Sequence, residues 1–148
     1  MGTPPASGAV RSAFWQIQQI PGIDLRDQEL LKSHGITTTQ QLCQKTLTPA
    51  NQTALANHLQ IPLRHVTKWA ALANLARVPN VGCCYCGLLL HAGIASPAQL
   101  AQTPLDRLHR QILRLQVATM QRPDLCPSLQ EVREWIHQAQ ILVRGSSR

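Results

Sequence analysis

Apolar and polar residues alternate with the period of an α-helix along most of the chain. The pattern is clearest in two segments that each carry a tryptophan, with apolar positions at Leu63, Val66, Trp69 and Ala73 and at Leu129, Val132, Trp135 and Ala139. This spacing places the apolar residues on one helix face, which predicts that Trp69 and Trp135 are core residues and not base-stacking platforms. Leu, Ala and Gln dominate the composition, which favours helix over strand.

Start and stop signals divide this pattern into about nine short helices, so the predicted fold class is all-α. Capping hydroxyls precede a proline at Thr48-Pro49, Ser96-Pro97 and Thr103-Pro104, Pro62 opens another helix, and Ser128 to Glu131 forms a capping box. Gly35 and Gly93 follow apolar periodic segments and suit the left-handed end of a helix.

Part of the chain recurs 58 residues later, from Pro21 to Pro79, and nine of the 27 positions from 21 to 47 are identical. The tryptophan segments recur at an offset of 66, so the second copy holds about eight extra residues, which we place around residues 116–127. The sequence therefore predicts two tandem repeats of one helical unit, at residues 13–76 and 77–143. Residues 1–12 and 144–148 are predicted to be disordered.

Each repeat begins with a short Pro-containing turn, which we call hairpin 1 (residues 21–24) and hairpin 2 (residues 79–82). Pro21-Gly22-Ile23 and Pro79-Asn80-Val81-Gly82, each followed by a helix and Gly-Ile, resemble the helix-hairpin-helix motif. The resemblance implies that backbone N–H groups of the turn, with the following helix N-terminus, hold a phosphate oxygen. A helix start offers unpaired donors and a partial positive charge, which makes this role physically reasonable.

Neither hairpin has the full motif. Asp24 replaces the second glycine of hairpin 1, where its carboxylate would cap the following helix and repel phosphate, so we interpret hairpin 1 as structural. Asn80 replaces the first glycine of hairpin 2, a milder change, because Asn tolerates left-handed backbone. The candidate nucleic-acid contacts are therefore, first, Asn80, Val81 and Gly82, then Gly22 and Ile23, with Arg77, Arg107, Arg110 and Arg114 as reinforcing cations.

The arrangement also resembles an uncharacterised bacterial family, the domain of unknown function numbered 4332. The resemblance covers about residues 14 to 142 and rests on the paired hairpins, on residues 68–77 (KWAALANLAR) and on residues 132–139 (VREWIHQA). It implies the fold but no activity, because the family has no established one.

Charge narrows the choice of partner. The formal net charge is +7, and between residues 30 and 123 nine basic residues are opposed by Asp106 alone. A basic middle with acidic flanks is typical of proteins that bind a polyanion, although a solvated basic surface would look the same. No apolar stretch is long enough to span a membrane, and there is no export signal, so we expect a soluble, cytoplasmic protein.

Cys83 and Cys86 form a Cys-x-x-Cys pair at a predicted helix start, where a thiol pKa is expected to fall. With Cys126 they are an alternative metal or redox site, but small buried thiols explain the cluster without metal, so we predict neither metal nor cofactor. No set of side chains suggests acid–base or nucleophilic catalysis, so we do not expect an enzyme.

Two functions remain open. The first is an accessory protein that binds the nucleic-acid backbone with little sequence preference, with DNA favoured over RNA. The second is a protein–protein interaction or scaffold module whose hairpins have lost phosphate binding. The two differ in what surrounds the hairpins, since a phosphate site needs open amides and nearby cations.

Overall fold

A computed structural model of the protein describes residues 10–119 and 127–146. In that part of the chain a 3-10 helix at Ile17–Gln19 precedes eight α-helices, and there is no strand beyond the isolated bridge between Gln16 and Thr38. The helices are α1 (Leu25–Ser33), α2 (Thr39–Lys45), α3 (Pro49–Leu59), α4 (Leu63–Ala76), α5 (Gly82–His91), α6 (Pro97–Gln102), α7 (Leu105–Thr119) and α8 (Leu129–Ser146). The predicted all-α fold class is confirmed.

Most of the predicted helix caps are present. The hydroxyls of Thr48 and Ser96 accept from backbone N–H groups of the helices that they precede, and Ser128 and Glu131 form both bonds of a capping box. The prediction for Thr103 is wrong: its hydroxyl donates to the Gln99 carbonyl at 2.7 Å and therefore closes α6 instead of opening α7. A threonine hydroxyl can bond back to the carbonyl four residues earlier, and here that local bond is the one formed.

The core is built around α4 and α8. Helix α4 packs against α2, α3 and α5, while α8 packs against α6 and α7. Trp69 and Trp135 are 2% and 1% exposed, so both are core residues as their spacing predicts. Burying side chains of this size stabilises the fold by roughly 1.5–3 kcal/mol each. Because both rings are buried, neither is available to stack on a base.

The same hydrogen bonds occur at two places 58 residues apart. The Ile36 amide N–H donates to the Leu31 carbonyl, and the Ile94 amide N–H donates to the Leu89 carbonyl, both at 2.9 Å. Gly35 and Gly93 end their helices at φ of +81° and +94°. These shared hydrogen bonds and backbone angles support the tandem repeat, which stays an interpretation of the sequence.

The residues before hairpin 1 are packed against both halves of the chain. Ala13 donates its backbone N–H to the Arg77 carbonyl at 2.9 Å, and Ile17 donates to the Thr37 carbonyl at 3.0 Å. Val10 is also partly buried against the core. The sequence predicts disorder for residues 1–12, but the described part of that stretch, residues 10–12, contains packed residues.

The predicted C-terminal boundary differs from the structure. Helix α8 continues to Ser146, so the predicted start of a disordered tail at residue 144 is too early. The apolar stripe that ends with the buried Leu142 carries the helix past that point. Residues 1–9, 147 and 148, and much of the predicted insertion around 116–127, lie outside the described residues. No helix in the described ranges has the length and apolar character needed to cross a membrane.

Candidate anion-binding sites

The sequence favours hairpin 2 as the phosphate site, but the backbone N–H groups of Asn80, Val81 and Gly82 already donate to protein oxygens. The Asn80 N–H donates to Oε1 of Gln138 on α8 at 2.9 Å. The N–H groups of Val81 and Gly82 both donate to the Val78 carbonyl, at 2.9 and 3.0 Å. Gln138 thus supplies an oxygen to the Asn80 amide, which in the helix-hairpin-helix interpretation would donate to a phosphate.

Trp15 closes the same hairpin from another direction. Gly82 is buried at φ +51°, and a Cβ built on it would lie 3.1 Å from Cζ2 of Trp15. The indole is held in place because its Nε1–H donates to the Ala76 carbonyl at 2.8 Å. Val81 is only 1% exposed. The hairpin 2 backbone therefore faces protein and not solvent at Val81 and Gly82.

Hairpin 1 is more open. Gly22 is exposed at φ +87°, and within the described ranges its backbone N–H has no acceptor at hydrogen-bond distance. Nζ of Lys68, on α4, lies 3.6 Å from the position of a Cβ on Gly22. Ile23 is buried, 5% exposed, and contributes to the core instead of to a surface. The structure thus places one open amide and one cation at the hairpin that the sequence marks as structural.

Carboxylates oppose anion binding at hairpin 1. Asp24 caps α1 as predicted, with Oδ1 accepting from the Asp27 N–H at 2.9 Å. Burial raises the pKa of Asp27, and the Asp24 carboxylate adds to the rise because two nearby negative charges repel each other. A phosphate at this helix start would meet the same repulsion.

Arg77 does not reach toward hairpin 2. Its Nη1 donates to Oδ1 of Asn74 at 2.6 Å, and its Nε donates to Oγ of Ser12 at 3.3 Å. The side chain lines a groove that also contains Cys43 and Gln52, from α2 and α3. The structure therefore separates Arg77 from the hairpin that follows it directly in sequence.

The three arginines of α7 also lie away from hairpin 2. Arg107, Arg110 and Arg114 are exposed, while Leu108 and Ile112 are fully buried, as the helical spacing predicts. Arg107 and Arg114 line grooves with Ala92, just beyond the C-terminal end of α5. Hairpin 2 precedes the other end of this ten-residue helix, and ten residues of α-helix are about 15 Å long.

The cysteine cluster is a packing feature in this structure. Burial raises the pKa of Cys83 to about 11 and that of Cys86 to about 12, the opposite of the expected fall at a helix start. Cys86 is fully buried, which fits the role of a small core residue. No three potential metal ligands cluster within residues 10–119 and 127–146, and Cys126 lies outside those ranges.

Three residues that shape these sites were not identified from the sequence, namely Trp15, Gln138 and Lys68. Phe14-Trp15 is the only pair of adjacent aromatic residues in the chain, and this signal could have suggested a packed segment before hairpin 1. The residues next to Gln138 and Lys68 in the sequence give no sign that either side chain contacts a hairpin. Each acts across the fold on a residue more than 40 positions away.

A comparison with family models matches residues 21–142 to a family described as a domain of unknown function (DUF4332). The matched range contains both hairpins and most of α8. Searches of curated proteins and of solved structures found no match. The matched range spans well over half of the chain, and the chain therefore belongs to the DUF4332 family.

Proposed function

We propose that this protein is a non-enzymatic protein–protein interaction module whose hairpins are structural elements. The observation that carries the proposal is the closure of hairpin 2, where Gln138 accepts from Asn80 and Trp15 covers Gly82. A backbone phosphate site needs amides that point to solvent. Hairpin 1 has an open amide but keeps a capping carboxylate beside it, so neither hairpin favours a polyanion.

The exposed side of α7 is the surface that we assign to the partner. It presents Arg107, Arg110 and Arg114, and Leu113 lies one turn from Arg110 with 38% of its surface exposed. A leucine between arginines suits a protein surface with carboxylates around an apolar contact, because a phosphate backbone offers nothing apolar. The net charge of +7 favours an acidic partner.

Nucleic-acid backbone binding is the second candidate, and one observation favours it. The open Gly22 amide and the Lys68 ammonium lie together at hairpin 1. Such a pair can donate to one phosphate oxygen, and a contact of this kind would make binding sensitive to salt. The binding would be weak, because Asp24 stands at the same helix start.

Fluorescence anisotropy with labelled duplex and single-stranded oligonucleotides, at about 50 and about 200 mM salt, separates the two candidates. Under our proposal, micromolar protein produces no saturable signal with either strand form. Saturable binding that weakens steeply with salt and is lost in Lys68→Ala, but kept in Lys45→Ala, would overturn the proposal. Lys45 is an exposed lysine on α2 and serves as the matched charge control.

Cross-linking in native extract tests the partner directly. We expect a protein adduct that survives nuclease treatment and is lost when Arg107, Arg110 and Arg114 are all changed to Gln. Arg26→Gln combined with Lys32→Gln, at exposed positions on α1, is the control for a general loss of charge. An adduct that disappears with nuclease, or that is insensitive to the α7 changes, would contradict the assignment of this surface.

A further inference from the structure

We propose that the groove between α2, α3 and α4 binds a small organic carboxylate, with Arg77 holding the carboxylate group. This site is separate from the hairpins and from the α7 surface. The groove has a volume of about 330 Å³, at the small end of the range of ligand pockets. Its lining combines polar side chains, among them Gln52, Thr67 and Asn74, with small apolar ones such as Ala70 and Ala71.

Arg77 is a half-buried cation without an acidic partner. Its two hydrogen bonds go to neutral oxygens, on Asn74 and Ser12. No carboxylate in the described ranges pairs with it, and its Nη2 has no acceptor there. A guanidinium carries five N–H donors in a planar fork that matches a carboxylate. An anion entering the groove would therefore complete both the charge and the hydrogen bonding of Arg77.

Asn74 adds a second donor at the same end of the groove. Because Oδ1 of Asn74 accepts from Arg77, the Nδ2 group is the part of the amide left to donate to a ligand. The positive charge of Arg77 also acts on Cys43, another residue of the lining. Burial raises the pKa of Cys43, and Arg77 acts in the opposite direction, as expected for a positive charge near a thiol.

Another part of the lining is already organised by its own hydrogen bonds. Nε2 of Gln52 donates to the Thr46 carbonyl at 3.2 Å, and Oε1 of Gln52 accepts from the Thr67 hydroxyl at 3.2 Å. These bonds join α3 to α4 and to the end of α2. A wall whose polar groups are satisfied keeps its shape without a ligand, which lowers the ordering cost of binding.

The rest of the groove limits the ligand to a small, partly apolar acid. Ala70 and Ala71 leave the space that larger side chains would fill, and Leu47 lies at the groove with 74% of its surface exposed. Among the described residues that line the groove, Arg77 is the only Lys, Arg, Asp or Glu. A single cation beside methyl groups matches a monocarboxylate with a short hydrocarbon chain better than a dianionic phosphate.

Titration of the full-length protein with straight-chain acids from acetate to hexanoate, followed by NMR or calorimetry, tests the site. We expect at least one acid to bind saturably, and its neutral amide and inorganic phosphate to bind about tenfold more weakly or not at all. Arg77→Gln should weaken acid binding about tenfold or more, which corresponds to about 1.4 kcal/mol. Arg64→Gln, at an exposed arginine of α4 that does not line this groove, should leave acid binding unchanged.

Ala71→Leu provides a second variant that keeps Arg77 and its bonds to Asn74 and Ser12. Leucine suits a helix and would occupy the groove, so acid binding should be lost while thermal unfolding shows a folded protein. The proposal fails if none of the acids binds at concentrations up to about 50 mM. It also fails if the acid and its amide bind equally, or if neither Arg77→Gln nor Ala71→Leu weakens binding.

Discussion

The indole of Trp15 lies directly against the backbone of Gly82, and a Cβ on Gly82 would be 3.1 Å from Cζ2 of the ring. The contact joins the residues before hairpin 1 to the first turn of α5. It is held by the bond from Trp15 Nε1–H to the Ala76 carbonyl. This relationship makes hairpin 2 part of the core, and it leads to a direct test of what the glycine is for.

We expect Gly82→Ala to destabilise the protein by about 2–4 kcal/mol. The φ of +51° alone costs an alanine roughly 1–2 kcal/mol, and the new methyl would push on the Trp15 ring. Urea denaturation followed by circular dichroism measures the change in the free energy of unfolding.

Gly35→Ala is the matched control for this substitution. Gly35 has φ +81°, but a Cβ there would have no heavy atom within 4 Å, so only the backbone cost of roughly 1–2 kcal/mol is expected. The effect of the substitution on the unfolded chain is similar at both sites and cancels in the comparison. Equal losses for the two variants would mean that Trp15 does not pack on Gly82.

Thr39→Val should cost about 1–3 kcal/mol, although it keeps the side-chain shape. Thr39 is fully buried, and its Oγ1 accepts from the Trp15 backbone N–H at 2.9 Å. Valine leaves that N–H without an acceptor in a part-buried place. The free energy of unfolding from urea denaturation reports the loss.

Thr53→Val is the comparison for Thr39→Val, because Thr53 is exposed on α3 and its hydroxyl donates to the Pro49 carbonyl. An exposed change of this kind is expected to stay within about 0.5 kcal/mol. If both valine variants lost the same stability, the cost would come from removing any hydroxyl and not from the Trp15 contact.

Asp24→Ala should destabilise α1 by about 1 kcal/mol, because it removes the cap on the Asp27 N–H. Asp24→Asn keeps an oxygen in the capping position and should retain most of the stability. Both changes remove a negative charge beside Asp27, so in both the pKa of Asp27 should fall toward its ordinary value of 3.8. An NMR titration of the Asp27 carboxyl measures it, and an unchanged pKa would show that the carboxylates do not interact.

Cys84 should be the first thiol of the cluster to react with an alkylating reagent at about pH 7.5. It is exposed, whereas burial raises the pKa of Cys83 to about 11 and that of Cys86 to about 12. At neutral pH the thiolate fraction of Cys83 and of Cys86 is therefore very small. Site-resolved mass spectrometry in a Cys126→Ser background gives the rates, and labelling of Cys86 as fast as Cys84 would contradict the buried packing.

The sequence alone is sufficient to predict the helical segments, most of their caps and the two core tryptophans. These features depend on residues within about one helical turn of each other, and the physical rules that connect them act at that range. Ser128 and Glu131 show this well, because both bonds of their capping box join residues three positions apart. Thr103 is the exception, because α7 begins at Leu105 and the residue directly before the helix is Pro104. The Thr103 hydroxyl instead donates to the Gln99 carbonyl.

The sequence does not reveal which hairpin is open or where the arginines lie, because long-range packing sets both. Asn80 and Gln138 are 58 residues apart, and Trp15 and Ala76 are 61 apart, so no local pattern connects them. The two hairpins differ because different neighbours pack on them, Gln138 and Trp15 on one and Lys68 on the other. Arg77 likewise donates to Asn74 and Ser12, and its side chain lines a groove. A long side chain is placed by the packed surface that it meets, and that surface exists only after the helices have come together.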